Sequence, residues 1–122
     1  MHPSETTPLP GSRDPADPLA AAARLAGLLA APLRLHLLWL LGQRDHDVGD
    51  LAHRVGATVP AVSHHLAKLR LAGLVTARRH GRSQIYRAAD PAVITLVEHL
   101  VDHATPTTSP HTAGHRSMRA AR

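Results

Sequence analysis

The chain has no cysteine and no phenylalanine, and Trp39 and Tyr86 are its only other large aromatic side chains. Without a thiol there can be no disulfide, no zinc–thiolate site and no cysteine nucleophile. So few aromatic rings leave no stacking platform of the kind that single-stranded nucleic acid needs. No run reaches the ~18 consecutive apolar residues of a membrane helix, and the N-terminus lacks the basic-then-apolar pattern of a secretory signal. A soluble, cytoplasmic protein with no membrane partner is expected. Spacing suggests no Ser/His/Asp or Cys/His set and no glycine loop for phosphate, so no enzyme is expected. The most telling absence is of carboxylates. Between Asp50 and Asp90 there is no Asp or Glu, whereas Arg54, Lys68, Arg70, Arg78, Arg79, Arg82 and Arg87 and four histidines fall there. A solvated surface interleaves both signs, so a long one-signed segment points to a polyanionic partner.

What is present supports that reading. The 122 residues carry a formal charge of +5, and Lys68 is the only lysine among 14 basic residues. Arginine forks suit phosphates and guanine edges better than a point charge does. GC-rich coding would account for an excess of Arg, Ala and Pro, but not for their clustering. Residues 1–16 and 105–122 lack an apolar period and read as disordered tails, the second containing His and Arg. Residues 17–104 are expected to form one small domain, whose modest core would gain from dimerisation.

Within it, Asp17-Pro18 is a helix start, with an N-cap followed by proline at the first position. The helix that follows is apolar around most of its circumference, which suits burial against a second subunit. Pro32 opens a core helix in which Leu33, Leu37, Leu40 and Leu41 form the stripe, with Leu35 and Trp39 on the other side and His36 semi-buried. Asp47 can cap a short helix ending at Gly56, and two residues later Thr58 can cap the next. Two helices across a tight glycine-containing turn are the helix-turn-helix signature. In Val59–Leu71, Val62, Leu66 and Leu69 face inward. Thr58, Ala61, Ser63, His64, His65 and Lys68 lie on or near the opposite side, where a major groove could be read. Leu74–Arg87 reads as a hairpin with Gly81 in its loop and Leu74, Val75 and Ile85 contacting the core. It forms a basic wing that carries Arg78, Arg79, His80 and Arg82 to the phosphates or minor groove of double-stranded DNA. Asp90-Pro91 starts the last helix, whose stripe is Val93, Leu96, Val97, Leu100 and Val101. The fold expected is therefore mainly α with a small β-hairpin wing, a winged helix-turn-helix. It would form a homodimer through its first and last helices on a pseudo-palindromic site.

These segments resemble the ArsR/SmtB family of bacterial winged helix-turn-helix repressors. APLRLHLLWLL is similar to the family's second helix, VGDLAHRVGATVPAVSHHLAKLRLAGLV to its DLA…VSxHLxxLxxAGLV core, and RRHGRSQIYR to its wing. Ala31 stands where many members have Asp, and Val59, Pro60 and Ala61 make the start of the recognition helix less polar than usual. Base reading would then rest more on Ser63, His64, His65 and DNA shape.

The resemblance implies a dimer that leaves its operator when a metal ion binds. In the family's Cys-x-Cys register this chain has Asp47-Val48-Gly49, which excludes thiolate sensing of soft ions. In the family's last-helix site Asp90 and His103 match two ligands, but Ala92 and Pro106 occupy the other two positions. His99, one turn before His103, is a substitute, and His2, His111 and His115 in the tails are others. Nitrogen and oxygen ligands without sulfur suit nickel, cobalt or zinc as effector. The alternatives are a DNA-binding regulator with no metal switch, controlled by its abundance or by a partner protein, and a histidine-rich metal buffer. A buffer would have no use for the wing.

Overall fold

Proline and short acidic or hydroxyl side chains set where the helices start. The computed structural model describes residues 17–106; the expected tails, apart from residues 105 and 106, lie outside them. The helices are α1 (Pro18–Leu29), α2 (Pro32–Leu41), α3 (Val48–Val55), α4 (Val59–Leu71) and α5 (Pro91–Ala104), and the strands are β1 (His46–Asp47), β2 (Val75–His80) and β3 (Ser83–Ala88). Asp17, Asp47, Thr58 and Asp90 cap α1, α3, α4 and α5 by accepting from backbone N–H groups that have no helical partner. Ala31 precedes α2 and makes no such bond, so that helix relies on Pro32 to preset its first turn.

The hub is α2, which packs against α1, α3, α4, α5 and β3. Leu37, Leu38, Leu40 and Leu41 are buried in it, while Leu33, Leu35 and Trp39 lie half-buried against the same core. Leu51 and Ala52 of α3, Val62, Leu66 and Leu69 of α4, and Val93 and Val97 of α5 complete the cluster with Leu29, Leu74 and Val75. At the C-terminal end of α2 a glycine is needed for close approach, because a Cβ on Gly42 would lie 2.7 Å from Cγ2 of Ile94 in α5. Among the described residues no single helix is long and apolar enough to cross a membrane.

The structure adds one strand to the expected fold and corrects three details. The expected hairpin forms from β2 and β3, and the sequence missed only its extra strand, because β1 pairs antiparallel with β3 and gives a three-stranded sheet ordered β1-β3-β2. Two residues, the second of which is itself the N-cap of α3, carry no alternation that could announce a strand. In β3 it is Tyr86 and Ala88 that pack against the core; the pleat turns the neighbouring Ile85 to the other face. His36 is exposed, because α2 directs that part of its surface away from every neighbouring element. Finally, the stripe on α5 is covered in part by α2 of the same chain, which buries Val93 and Val97. Leu96 and Leu100 remain 40% and 43% exposed.

Candidate nucleic-acid interface

The turn between α3 and α4 fixes how the second helix is presented. Gly56 ends α3 with φ 70°, a left-handed conformation that glycine adopts at little cost. The Thr58 hydroxyl then accepts from Ala61 N at 3.2 Å and starts α4. Val62, Leu66 and Leu69 anchor that helix in the core, as their spacing predicts. Thr58, Ser63, His64 and Lys68 are exposed, and Ala61 and His65 lie half-buried. The rings of His64 and His65 stand edge to face with centroids 5.5 Å apart.

His65 has a second neighbour, 31 positions away along the chain. Arg34 of α2 donates through Nε to Leu28 O at 2.8 Å and through Nη2 to Gly27 O at 3.4 Å at the C-terminal end of α1, where Gly27 O also accepts from Ala30 N. Its Nη1 lies 3.4 Å from Nδ1 of His65. Burial of the ring, then the positive charges of Arg34, His64 and Lys68, hold His65 below the ordinary imidazole value. In the sequence Arg34 appears only as the one charged residue of APLRLHLLWLL, with nothing to indicate its partner.

The β2–β3 hairpin closes at Gly81-Arg82, with His80 paired to Ser83 and Gly81 at φ 63°. A two-residue turn needs such a conformation to match the strand twist. Arg79, His80 and Arg82 are exposed at this tip. Arg78 lies farther from it, opposite Ile85. Space then supplies the acids that the linear segment lacks. Asp45 lies 3.8 Å from Arg78 and 3.7 Å from Arg87. Asp50 Oδ2 accepts from Arg54 Nε at 2.9 Å and also from the buried His46 through Nδ1. These two hydrogen bonds hold the Asp50 carboxyl below its usual range. Among the described residues Lys68, Arg70, Arg79 and Arg82 have no carboxylate within ion-pair distance. The positive surface is therefore narrower than the sequence suggests, and it is concentrated on α4 and the wing tip.

The expected metal ligands are not brought together within one chain. Asp90 Oδ1 caps α5, accepting from Ala92 N at 3.0 Å and Val93 N at 3.4 Å. Thirteen residues of helix put His103 about 20 Å from it. His99, Asp102 and His103 are exposed near the end of α5. Among the described residues no three His, Asp or Glu side chains converge. His2, His111 and His115 lie outside the described residues.

A helix-turn-helix followed by a sheet with a basic tip is the arrangement that comparison with known proteins can decide. A family model described as bacterial regulatory protein, arsR family, matches residues 31–77. The HTH-type transcriptional regulator KmtR of Mycobacterium tuberculosis is 40% identical over 95 residues, 75% of this chain and 73% of its own length. The chain belongs to the ArsR family. Within that family it is a DNA-binding transcriptional regulator and not an enzyme. Its fold matches the crystal structure of the transcriptional repressor BigR from Xylella fastidiosa with a TM-score of 0.68 at 30% identity, over 71% of this chain and 89% of that one. It also matches a homodimeric winged helix-turn-helix DNA-binding domain from Mycobacterium bovis with a TM-score of 0.59 at 35% identity, over 73% and 90% of the two chains. The ArsR match spans α2 through the first half of β2, so it contains α4 and the element that holds it.

Proposed function

We propose that this protein is a cytoplasmic repressor, with residues 17–104 as its working domain, that binds a pseudo-palindromic operator as a homodimer. Two copies joined through α1 and α5 would set their α4 helices in successive major grooves, about 10 base pairs apart. Thr58, Ala61, Ser63, His64, His65 and Lys68 would meet the groove. Arg79, His80 and Arg82, with Arg78 behind them, would follow the phosphates or minor groove. The observation that carries this reading is that, among the described residues, no carboxylate lies within ion-pair distance of Lys68 on α4 or of Arg79 and Arg82 at the wing tip. The homodimeric relative supports the assembly, and the exposure of Leu96 and Leu100 supports where it would form.

A divalent ion is the finer part of the proposal. Asp90 and His103 fit half of the family's last-helix ligand set, while Ala92 and Pro106 offer no donor atom. His99, exposed one turn before His103, is the nearest replacement. This all-nitrogen-and-oxygen set suits nickel, cobalt or zinc and would need a second chain to complete it.

Fluorescence anisotropy tests both parts. Duplex DNA from upstream of the chain's own gene would be titrated against an unrelated duplex at fixed salt, first alone and then with nickel, cobalt or zinc. Preference for the upstream duplex, released by one ion, is the expected result, and His103→Ala should abolish the release. Equal affinity for both duplexes would overturn the operator reading. Preference indifferent to all three ions would leave a regulator governed by its abundance or by a partner protein.

A further inference from the structure

Arg34 stands outside every element assigned to DNA, yet it joins the end of α1 to the helix that reads it. A guanidinium has five N–H donors and no acceptor, so whatever it meets must accept. Its contact with His65 at 3.4 Å is through Nδ1, which must therefore present a lone pair. An imidazole unprotonated at Nδ1 carries its proton on Nε2, on the far side of the ring from Arg34. The arginine itself is fixed by two carbonyls, Leu28 O and Gly27 O, and so cannot follow the ring if the ring turns.

We propose that Arg34 is a specificity-positioning residue, which holds His65 as a neutral Nε2–H donor for an acceptor on a base edge in the major groove. The acceptor class is guanine O6 or N7, adenine N7 or thymine O4. The charged and titratable groups that face His65 are Arg34 from α2 and His64 and Lys68 from α4, all of which oppose a second proton on the ring. Protonation would put an N–H at Nδ1 against the guanidinium, break the contact and let the ring turn. The inference rests on the reading of α4 as the recognition helix. It adds the polarity of one contact and the residue in α2 that enforces it.

The first test needs no DNA. Long-range proton–nitrogen spectra of the full chain, labelled with ¹⁵N-histidine, report the tautomer of each ring, and His65 is assigned by the signal lost in His65→Gln. A bare Nδ1 and a protonated Nε2 are expected, with Arg34→Gln moving His65 toward the tautomer mixture of a free imidazole. A protonated Nδ1, or a spectrum indifferent to Arg34→Gln, overturns the proposal. The second test uses a duplex selected from a random pool by the wild-type protein, compared with an unrelated duplex by anisotropy. Arg34→Gln and His65→Ala should each lower the ratio of specific to non-specific affinity about tenfold. The double variant should be no worse than either alone. His65→Gln, whose amide nitrogen reaches the Nε2 position, should recover much of the ratio, and His65→Asn should not. Equal loss on both duplexes, or additive losses, overturns the proposal. A random pool that yields no enriched sequence would bring down the recognition reading beneath it. Should Arg34→Gln fail to fold, the wild-type tautomer and the two His65 replacements still decide.

Discussion

Helices α4 and α5 are built from the same parts and end in opposite situations. Each begins with a side-chain cap and a proline in its first turn, and they run for 13 and 14 residues. The apolar side chains Val62, Leu66 and Leu69 of α4 are fully buried within the chain, so its other face is left to a partner defined by charge. In α5 only Val93 and Val97 are buried, and Leu96 and Leu100 stay exposed beside Glu98, His99, Asp102 and His103. Val59 and Leu71 at the two ends of α4 are also exposed, but its core-facing stripe is complete, whereas the stripe of α5 is itself only partly covered. A partner of opposite charge suits the first, and a second copy with the same unmet apolar edge suits the second.

The strongest way to break this contrast is in the core of α4. Leu66→Ala should cost about 2–5 kcal/mol, the usual range for emptying a fully buried leucine site. Urea unfolding of this variant should show an earlier midpoint, and an unchanged midpoint would mean that α4 is not the anchor described. Changing Leu96 and Leu100 together to Glu should instead leave the folded chain as a monomer. Sedimentation velocity would read this as a loss of the proposed dimer, and affinity for the duplex that the wild type prefers should fall with it.

Smaller effects belong to the charged surface. Arg82→Ala should weaken binding to all duplexes alike and reduce the dependence of log K on log salt by about one. Asp45→Asn works in the other direction, because it releases Arg78 and Arg87. The pairs are long and their arginines more than half exposed, so the gain in affinity should be no more than a few-fold and should vanish at high salt.

The smallest expected effect is that of pH on stability. Asp50 is held below its usual range by His46, then Arg54. Its contribution is present above the ordinary carboxylate value and is lost as pH falls through the folded one. His65 is also depressed, by burial and then by Arg34, His64 and Lys68. Its neutral form is the favoured one, so its contribution is whole above the ordinary imidazole value and declines as pH drops toward the folded value. Urea midpoints should therefore slide downward in two steps on acidification. His65→Gln should remove the upper step and Asp50→Asn the lower.

The helices were legible because their signals are local. Asp17, Asp47, Thr58 and Asp90 cap as their positions predict, and the 3.6-residue period of Val62, Leu66 and Leu69 identifies the buried face of α4. The hairpin was legible from Gly81 and its flanking residues. What stayed hidden depends on residues distant in sequence. Asp45 shares no pattern with Arg78 and Arg87 and meets them only after the sheet has formed. Arg34 is 31 positions from His65. His36 lies in an apolar run yet is exposed, because a helix surrounded on most sides still presents one edge to water.

The two-residue strand β1 has a wider consequence. Through His46 and Asp47 it stitches the middle of the wing, at Tyr86 and Ile85, to the start of α3, and the His46–Asp50–Arg54 contacts fasten that seam to the helix. The hairpin is thus tied to the helix-turn-helix at two places, through α4 at its base and through β1 at its middle. A displacement of α3 would therefore act on the wing as well as on α4, since all three meet at this seam.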